Sequence, residues 1–270
     1  MPKKIQKFIS FFQIFLQKPY LLNLVINSQD VFKENFLKKY PNFNSLPQVN
    51  IQDLNERGSV NTVESFLLDG GSLITDLQLL ATLANRETVN SYFEIGTWRG
   101  ESVHNVAKYA KDCTTLNLAE EDIIKIGLGE KYAAQHAILS KKNPEILHLT
   151  GNTSIFDFKS LNKKYDLIFI DGDHSYDMVL NDTQKVFQHL IHENTIVVWH
   201  DYAYSAQKIR YEVFEAILDG VGVDNHQYLY HPKNTMCAIF TKEKLTKSTF
   251  DKMQFPEKLF TIKLEDVEFN

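Results

Sequence analysis

Two short stretches concentrate the side chains that could do chemistry. Asp171-Gly172-Asp173-His174 sets two acids and a histidine around a glycine, directly after the apolar run Leu167 to Ile170. His200-Asp201-Tyr202 follows a second apolar run, Thr195 to Trp199. Carboxylates held close repel unless a proton or cation intervenes. Asp171, Asp173, His174, His200 and Asp201 crowded into one volume would therefore call for a divalent metal. Oxygen donors suit Mg²⁺, and a histidine in the set shifts preference towards Mn²⁺ or Fe²⁺. The plainer reading makes His174 a loop cap and leaves Asp173 and Asp177 as solvated charges. A third stretch, Phe93-Glu94-Ile95-Gly96-Thr97-Trp98-Arg99-Gly100-Glu101-Ser102, runs from an apolar strand through glycines into a helix start. Gly96 would let the backbone approach a ligand closely, and Ser102 could cap the helix. Neither the dinucleotide pattern G-x-G-x-x-G nor the phosphate loop is met.

These stretches need a scaffold, and the chain supplies an alternation of strand and helix from residue 91 onward. Strands are predicted at Tyr92–Ile95, Thr114–Leu118, Ile146–Leu149, Leu167–Ile170 and Thr195–Trp199. A closing antiparallel pair follows at Tyr228–His231 and Met236–Thr241. Helices are predicted at Leu73–Leu83, Ser102–Ala110, after His174 (Val179, Val186, Phe187, Leu190 and Ile191 at helical spacing) and at Ile209–Leu218, while residues 120–139 are irregular or helical. This pattern predicts an α/β fold: a Rossmann-like, doubly wound and mostly parallel sheet with a closing antiparallel strand and an N-terminal helical appendage. In such sheets ligands bind at the carboxyl ends of the strands, where all three stretches fall. Trp199, on an apolar strand, reads as core and Trp98 as a pocket wall. Asp182 reads as a surface or supporting group, and His104, His136, His148, His189 and His192 carry no assigned role.

The Glu94–Ser102 loop resembles the cofactor loop of class I S-adenosylmethionine-dependent methyltransferases, and the likeness extends in order over about residues 90–240. It implies cofactor contacts at Glu94, Gly96, Thr97, Gly100, Ser102, Asn117, Asn152 and Asp171. Asn117 and Asn152 stand where the family usually has acids, and Glu120 or Glu121 could substitute for the first. The two acidic stretches resemble the metal-dependent small-molecule O-methyltransferase branch, of catechol and macrolide-sugar type. That implies Asp171 and Asp201, with His200 as a third, as ligands of Mg²⁺ or Mn²⁺, and His174 as general base, an imidazole that can take a proton from a bound hydroxyl. Tyr202 replaces the asparagine of the catechol type. The expected activity is methyl transfer to an oxygen of a small molecule, sugar-like or polyol-like. The rival readings are a metal-dependent hydrolase or hydroxylase-like protein on the same scaffold, and a non-catalytic cofactor-binding module.

Composition narrows the partners. Over 270 residues, 43% hydrophobic and 23% charged content is that of a globular protein, and a net charge of −5 gives no footprint for nucleic acid. Cys113 and Cys237 are too few and too far apart for a disulfide framework or a zinc site, which fits core packing in a reducing, cytoplasmic setting. Residues 1–40 carry seven lysines against Asp30 and Glu34, a net of +5. Within them Ile5, Phe8, Ile9, Phe12, Phe15 and Leu16 make a helical apolar stripe that Pro19 ends. A second helix is predicted over 20–39, capped by Ser28 or Asp30. The head lacks a cleavage site and the run of about 20 apolar residues that a span needs. A basic amphipathic helix can dock on a membrane surface through residues 1–18, but packing on the domain or in a homodimer is preferred here. The expected divisions are 1–60, an appendage covering the substrate mouth or making a dimer contact; 61–245, the catalytic domain; and 246–270, an unassigned extension. Pro41 to Arg57 reads as a connector.

Overall fold

The computed structural model describes residues 3–26, 28–58, 60–251, 255–256 and 258–269. Parts of both predicted end regions, at 1–2, 27 and 59 and at 252–254, 257 and 270, lie outside the described residues. In chain order the elements are helices α1 (Lys3–Gln17), α2 (Leu22–Ile26) and α3 (Gln29–Lys39), strand β1 (Gln48–Val49), α4 (Ile74–Ala84), β2 (Ser91–Ile95), α5 (Glu101–Val106), β3 (Asp112–Asn117), α6 (Glu120–Lys125) and α7 (Glu130–Ala133). They continue with β4 (Ile146–Thr150), β5 (Leu167–Ile170), α8 (Tyr176–His189), β6 (Ile196–Trp199), the small pair β7 (Ala203–Ser205) and β8 (Lys208–Ile209), α9 (Tyr211–Val221), β9 (Leu229–Pro232) and β10 (Ala238–Phe240).

Eight strands form one sheet in the order β1-β9-β10-β6-β5-β2-β3-β4. The five strands β6, β5, β2, β3 and β4 run parallel, and β10 is antiparallel to both β6 and β9. Chain order reverses between β2 and β5, so the crevice above those two strands is the topological switch point. Period-two alternation explains the two-sided core. Phe93, Ile95, Ile168, Ile170, Val197 and Trp199 face the α8 and α9 layer. Tyr92, Leu167, Phe169, Ile196 and Val198 face the α4 and α5 layer. The predicted mostly parallel sheet with a closing antiparallel strand is the observed one.

The N-terminal part differs from a plain appendage followed by a connector. Pro41 to Arg57 is more than a connector: β1 pairs in parallel with β9, and Leu46, Val49, Ile51 and Leu54 are buried. Turn-rich composition hid these residues because a two-residue strand has no period to read. The helix predicted over 20–39 is broken into a 3₁₀ turn at Pro19–Leu21, then α2 and α3. Ser28 is extended and sits before α3, but its side chain makes no capping bond. Pro19 does stop α1 at Gln17. None of the residues of α1 is buried, so the expected packing of that helix on the domain is not seen. Among the described residues no single helix is long and apolar enough to cross a membrane.

Helix α3 is held firmly, with Phe36 fully buried and its ring 4.6 Å from that of Phe214 on α9. Around it Lys39 pairs with Glu215 and Asp219, and the Tyr40 hydroxyl donates to Asp219 at 2.6 Å. Phe36→Ala should therefore cost roughly 3–5 kcal/mol of stability in a denaturant titration, the usual cost of removing a fully buried ring. A loss under about 1 kcal/mol would show that α3 is dispensable to the domain.

Candidate active site

Register decides which residues meet. Ile95 pairs with Ile170, and Ile170 with Trp199, so the next residues Gly96, Asp171 and His200 leave the sheet side by side. Backbone bonds hold the step: Asp171 N–H donates to Ile95 O at 2.8 Å and His200 N–H to Ile170 O at 3.1 Å. On the other side Gly96 N–H reaches Leu116 O at 2.9 Å and Gly151 N–H reaches Asn117 O at 2.8 Å. Gly96 is needed here for two reasons. Its φ is +91°, and a Cβ would run into the backbone carbonyl of Asp171.

Above these strand ends lies a cavity of about 340 Å³, within the usual range for a small-molecule site. Of the residues predicted to hold a cofactor, Gly96, Asn117, Asn152 and Asp171 line it, with Trp98 beside them. Thr97 lines a neighbouring cavity and bonds Thr115 Oγ1 at 2.5 Å. Glu94, Gly100 and Ser102 are absent from the wall. Glu94 is fully buried under the loop, accepting from the Tyr92 hydroxyl at 2.6 Å, from Thr115 Oγ1 at 2.9 Å and from Ser102. Ser102 is thus not the helix cap. Gly100, at φ +83°, occupies the cap position, and the Ser102 hydroxyl is spent on Glu94. Asp182 is 1% exposed and lines the cavity, which removes the surface alternative of its reading and leaves the supporting one. It shares the inward face of α8 with Val179, Thr183 and Val186, at helical spacing.

The second cluster adjoins the first through Asp171. His200 Nδ1 lies 3.1 Å from Asp171 Oδ1 and 3.6 Å from Asp201 Oδ2, and one donor atom from each of the three residues fits within 4.8 Å. His174 Nε2 is 3.0 Å from the same Asp201 oxygen, and Arg210 Nη1 is 3.8 Å away. Asp201 takes φ +55°, a backbone cost that an Asp tolerates better than most residues. Burial would raise its pKa, yet His200, His174 and Arg210 hold it at about 2. Burial likewise opposes a charge on His200, but Asp171, Asp201 and Asp76 outweigh it and raise its pKa well above the ordinary value. Tyr202 turns away from the cluster into the core, where its hydroxyl accepts from Leu46 N at 2.9 Å. Asp173 and Asp177 are both exposed, as the plainer reading has them, and Asp173 caps the loop by accepting from Ser175 N at 2.7 Å, a role that reading gave to His174, which instead faces Asp201.

Two residues escaped the sequence. Asp76, the only charged residue of α4, is fully buried. Its Oδ2 accepts from Leu73 N at 2.9 Å and faces His200 Nε2 at 3.2 Å, while Oδ1 accepts from Met236 N at 2.9 Å. A lone acid inside an apolar helix was the available signal. His136, from the irregular stretch, lines the cavity and bonds Asn117. Nothing local marks it.

A donor set of two carboxylates and one imidazole suits a divalent cation. The Asp76 carboxylate behind Nε2 is the kind of outer partner that turns Nδ1 of a histidine towards a metal. Residues 93–202 match a family model described as a methyltransferase domain. No curated protein sequence matches the chain. Among solved structures, the methyltransferase PaMTH1 of Podospora anserina, bound to S-adenosylhomocysteine (SAH), is 18% identical, with a TM-score of 0.38, over 49% of this chain and 55% of that one. An O-methyltransferase from Bacillus cereus in complex with SAH is 14% identical, with a TM-score of 0.43, over 65% of this chain and 84% of that one. The chain thus spans about half the length of PaMTH1.

Burial of Glu94 raises its pKa to about 7, which yields a stability test. An acid whose folded-state pKa is raised favours folding while it keeps its proton. That contribution is complete below the ordinary value of 4.5 and is lost as pH rises through about 7. Glu94→Gln keeps the neutral shape, so the fall in stability across this window should flatten relative to wild type in parallel denaturant titrations. An unchanged slope would mean that the carboxyl is already ionised in the folded state.

Proposed function

We propose that this class I S-adenosylmethionine-dependent methyltransferase domain, residues 93–202 at its centre, methylates a hydroxyl oxygen of a small, sugar-like or polyol-like molecule with help from Mg²⁺ or Mn²⁺. One observation carries the reading: Asp171 belongs both to the wall of the cofactor-sized cavity and to the Asp171–His200–Asp201 donor cluster. Methyl donor and acceptor would then meet at one carboxylate.

S-Adenosylmethionine supplies an electrophilic methyl carbon, and a divalent cation supplies positive charge that lowers the pKa of an acceptor hydroxyl. The residues do the rest. The cavity wall from Gly96 to Asp171 orients the donor and excludes water from one side. Asp171, Asp201 and His200 would hold the cation, with Asp76 fixing the His200 ring. His174 Nε2–H, directed at Asp201 Oδ2 at 3.0 Å, leaves Nδ1 as the basic atom for the acceptor proton. Asp201 then stabilises the imidazolium that forms. With His174 holding the acceptor proton, the acceptor oxygen would take the methyl group as its bond to the donor sulfur is given up, so that SAH would be the product.

Helix α3 borders this acceptor side. Gln29 Nε2 donates to the Tyr204 hydroxyl at 3.0 Å, and Gln29 Oε1 accepts from Tyr211 N at 3.1 Å. The N-terminal residues would in this way shape the acceptor mouth.

Calorimetry with SAH should show micromolar binding, and absence of binding at high micromolar concentration would sink the cofactor reading. Asp201→Asn, which tolerates the left-handed backbone, should weaken Mn²⁺ binding at least about tenfold in an electron-paramagnetic titration, as expected for a lost ligand. SAH affinity should stay within about threefold, since Asp201 is not on the cavity wall. Unchanged Mn²⁺ affinity would remove Asp201 from the metal site.

A further inference from the structure

Helix α1 carries an apolar face that the domain does not cover, since none of its residues is buried. Ile5, Phe8, Ile9, Phe12, Phe15 and Leu16 recur at spacings of three and four, which sets them on one side of the helix. Phe8 is 64% exposed and Leu16 78%. The opposite side, at the same spacing, holds Lys3, Gln6, Ser10, Gln13 and Gln17, all polar. Along the flank between them Lys4 and Lys7 stand beside Phe11 and Ile14. Apolar surface clustered in this way on a helix marks an interaction face.

The charge on this segment is of one sign. From residue 3 to residue 26 the chain has four lysines, Lys3, Lys4, Lys7 and Lys18, and no acid. The first acid, Asp30, belongs to α3, which is fixed on α9 through Phe36. The whole chain carries −5 while residues 1–40 carry +5, so an anionic surface attracts the head and repels the rest. A second copy of α1 would cover the stripe but bring only further lysines, with no acid to offset them. An anionic bilayer answers both features, with acyl chains for the stripe and headgroup phosphates for the lysines. Lysine stems can lie along the flank while their ammonium groups stay among the headgroups.

We infer that α1 is an interfacial helix that docks the protein on a bilayer surface containing anionic lipid, with Phe8, Phe12 and Leu16 entering the acyl boundary and Lys4 and Lys7 meeting headgroup phosphates. At 15 residues the helix falls short of the about 20 that a span needs, so it lies in the plane of the surface. The inference does not depend on the reaction at the strand ends.

The test is flotation of the full chain with two kinds of vesicle, phosphatidylcholine alone and phosphatidylcholine with about 30% phosphatidylglycerol. The protein should float with the anionic vesicles and bind the neutral ones at least about tenfold more weakly. Raising the salt from about 0.1 M to about 0.5 M should weaken the anionic binding, since exposed charges are then screened. The double variant Phe8→Glu/Phe12→Glu should not float with either kind and should unfold as wild type does, because both rings are exposed. Lys4→Gln/Lys7→Gln should lose about tenfold in affinity for anionic vesicles and stay within about twofold of wild type on neutral ones. Wild type left at the bottom of the gradient with anionic vesicles, or a Phe8→Glu/Phe12→Glu variant that floats as wild type does, overturns the inference. If wild type does not float and sediments as a dimer that the same variant disperses, α1 is instead a contact between two copies.

Discussion

The site depends on one alignment of hydrogen-bonded strands. Because Ile95, Ile170 and Trp199 are level in β2, β5 and β6, the three residues that follow them emerge level too. A slip of one residue in β5 would turn Asp171 into the sheet and put Gly172 at the cavity edge. The register is protected by burial on both faces. Leu167 and Phe169 belong to one core cluster, Ile168 and Ile170 to the other, and a slip would exchange all four. The chemistry is therefore held by apolar packing well below it.

Charge is handled differently in the two halves of the site. Beneath the glycine loop, Glu94 is enclosed by hydroxyls, with no cation among the partners that shift it, and burial favours its neutral form. At the other end the carboxylates of Asp171, Asp201 and Asp76 surround the imidazole of His200, and there the charges support one another. The first arrangement stiffens a loop. The second gathers donor atoms of alternating sign into a space small enough for one ion, and a cation entering it would compete with the proton on His200 Nδ1.

Much of this was legible in the sequence because the informative segments are short-range. The run Leu167–Ile170 ending at Asp171 fixes a strand and its loop by itself, and the same holds for Trp199 followed by His200. The loop from Glu94 to Ser102 was readable as strand, turn and helix start, but not in its side-chain roles. Glu94 and Ser102 turned out to bond each other below the cavity, a pairing set by the three-dimensional turn. Asp76 and His136 were out of reach for a different reason. Each acquires its role from a partner brought in by the fold, His200 for one and Asn117 for the other. Trp98 was legible as a wall residue from its place in the glycine loop, and it lines the cavity.

Asp76 also sets an order of assembly. Its carboxylate ties the start of α4 to His200, 124 residues later, and to the backbone of Met236, 160 residues later. The β1 strand likewise finds its partner β9 only near the far end of the chain. A chain emerging from synthesis can complete the parallel strands β2 to β6 and bring Asp76 to His200, but the Asp76 carboxylate gains its second anchor only when the segment leading into β10 has arrived. During that interval Asp76 Oδ1 lacks the Met236 N–H that later fixes it. The turn leading into β10 acts as the latch that turns a folded scaffold into a finished site.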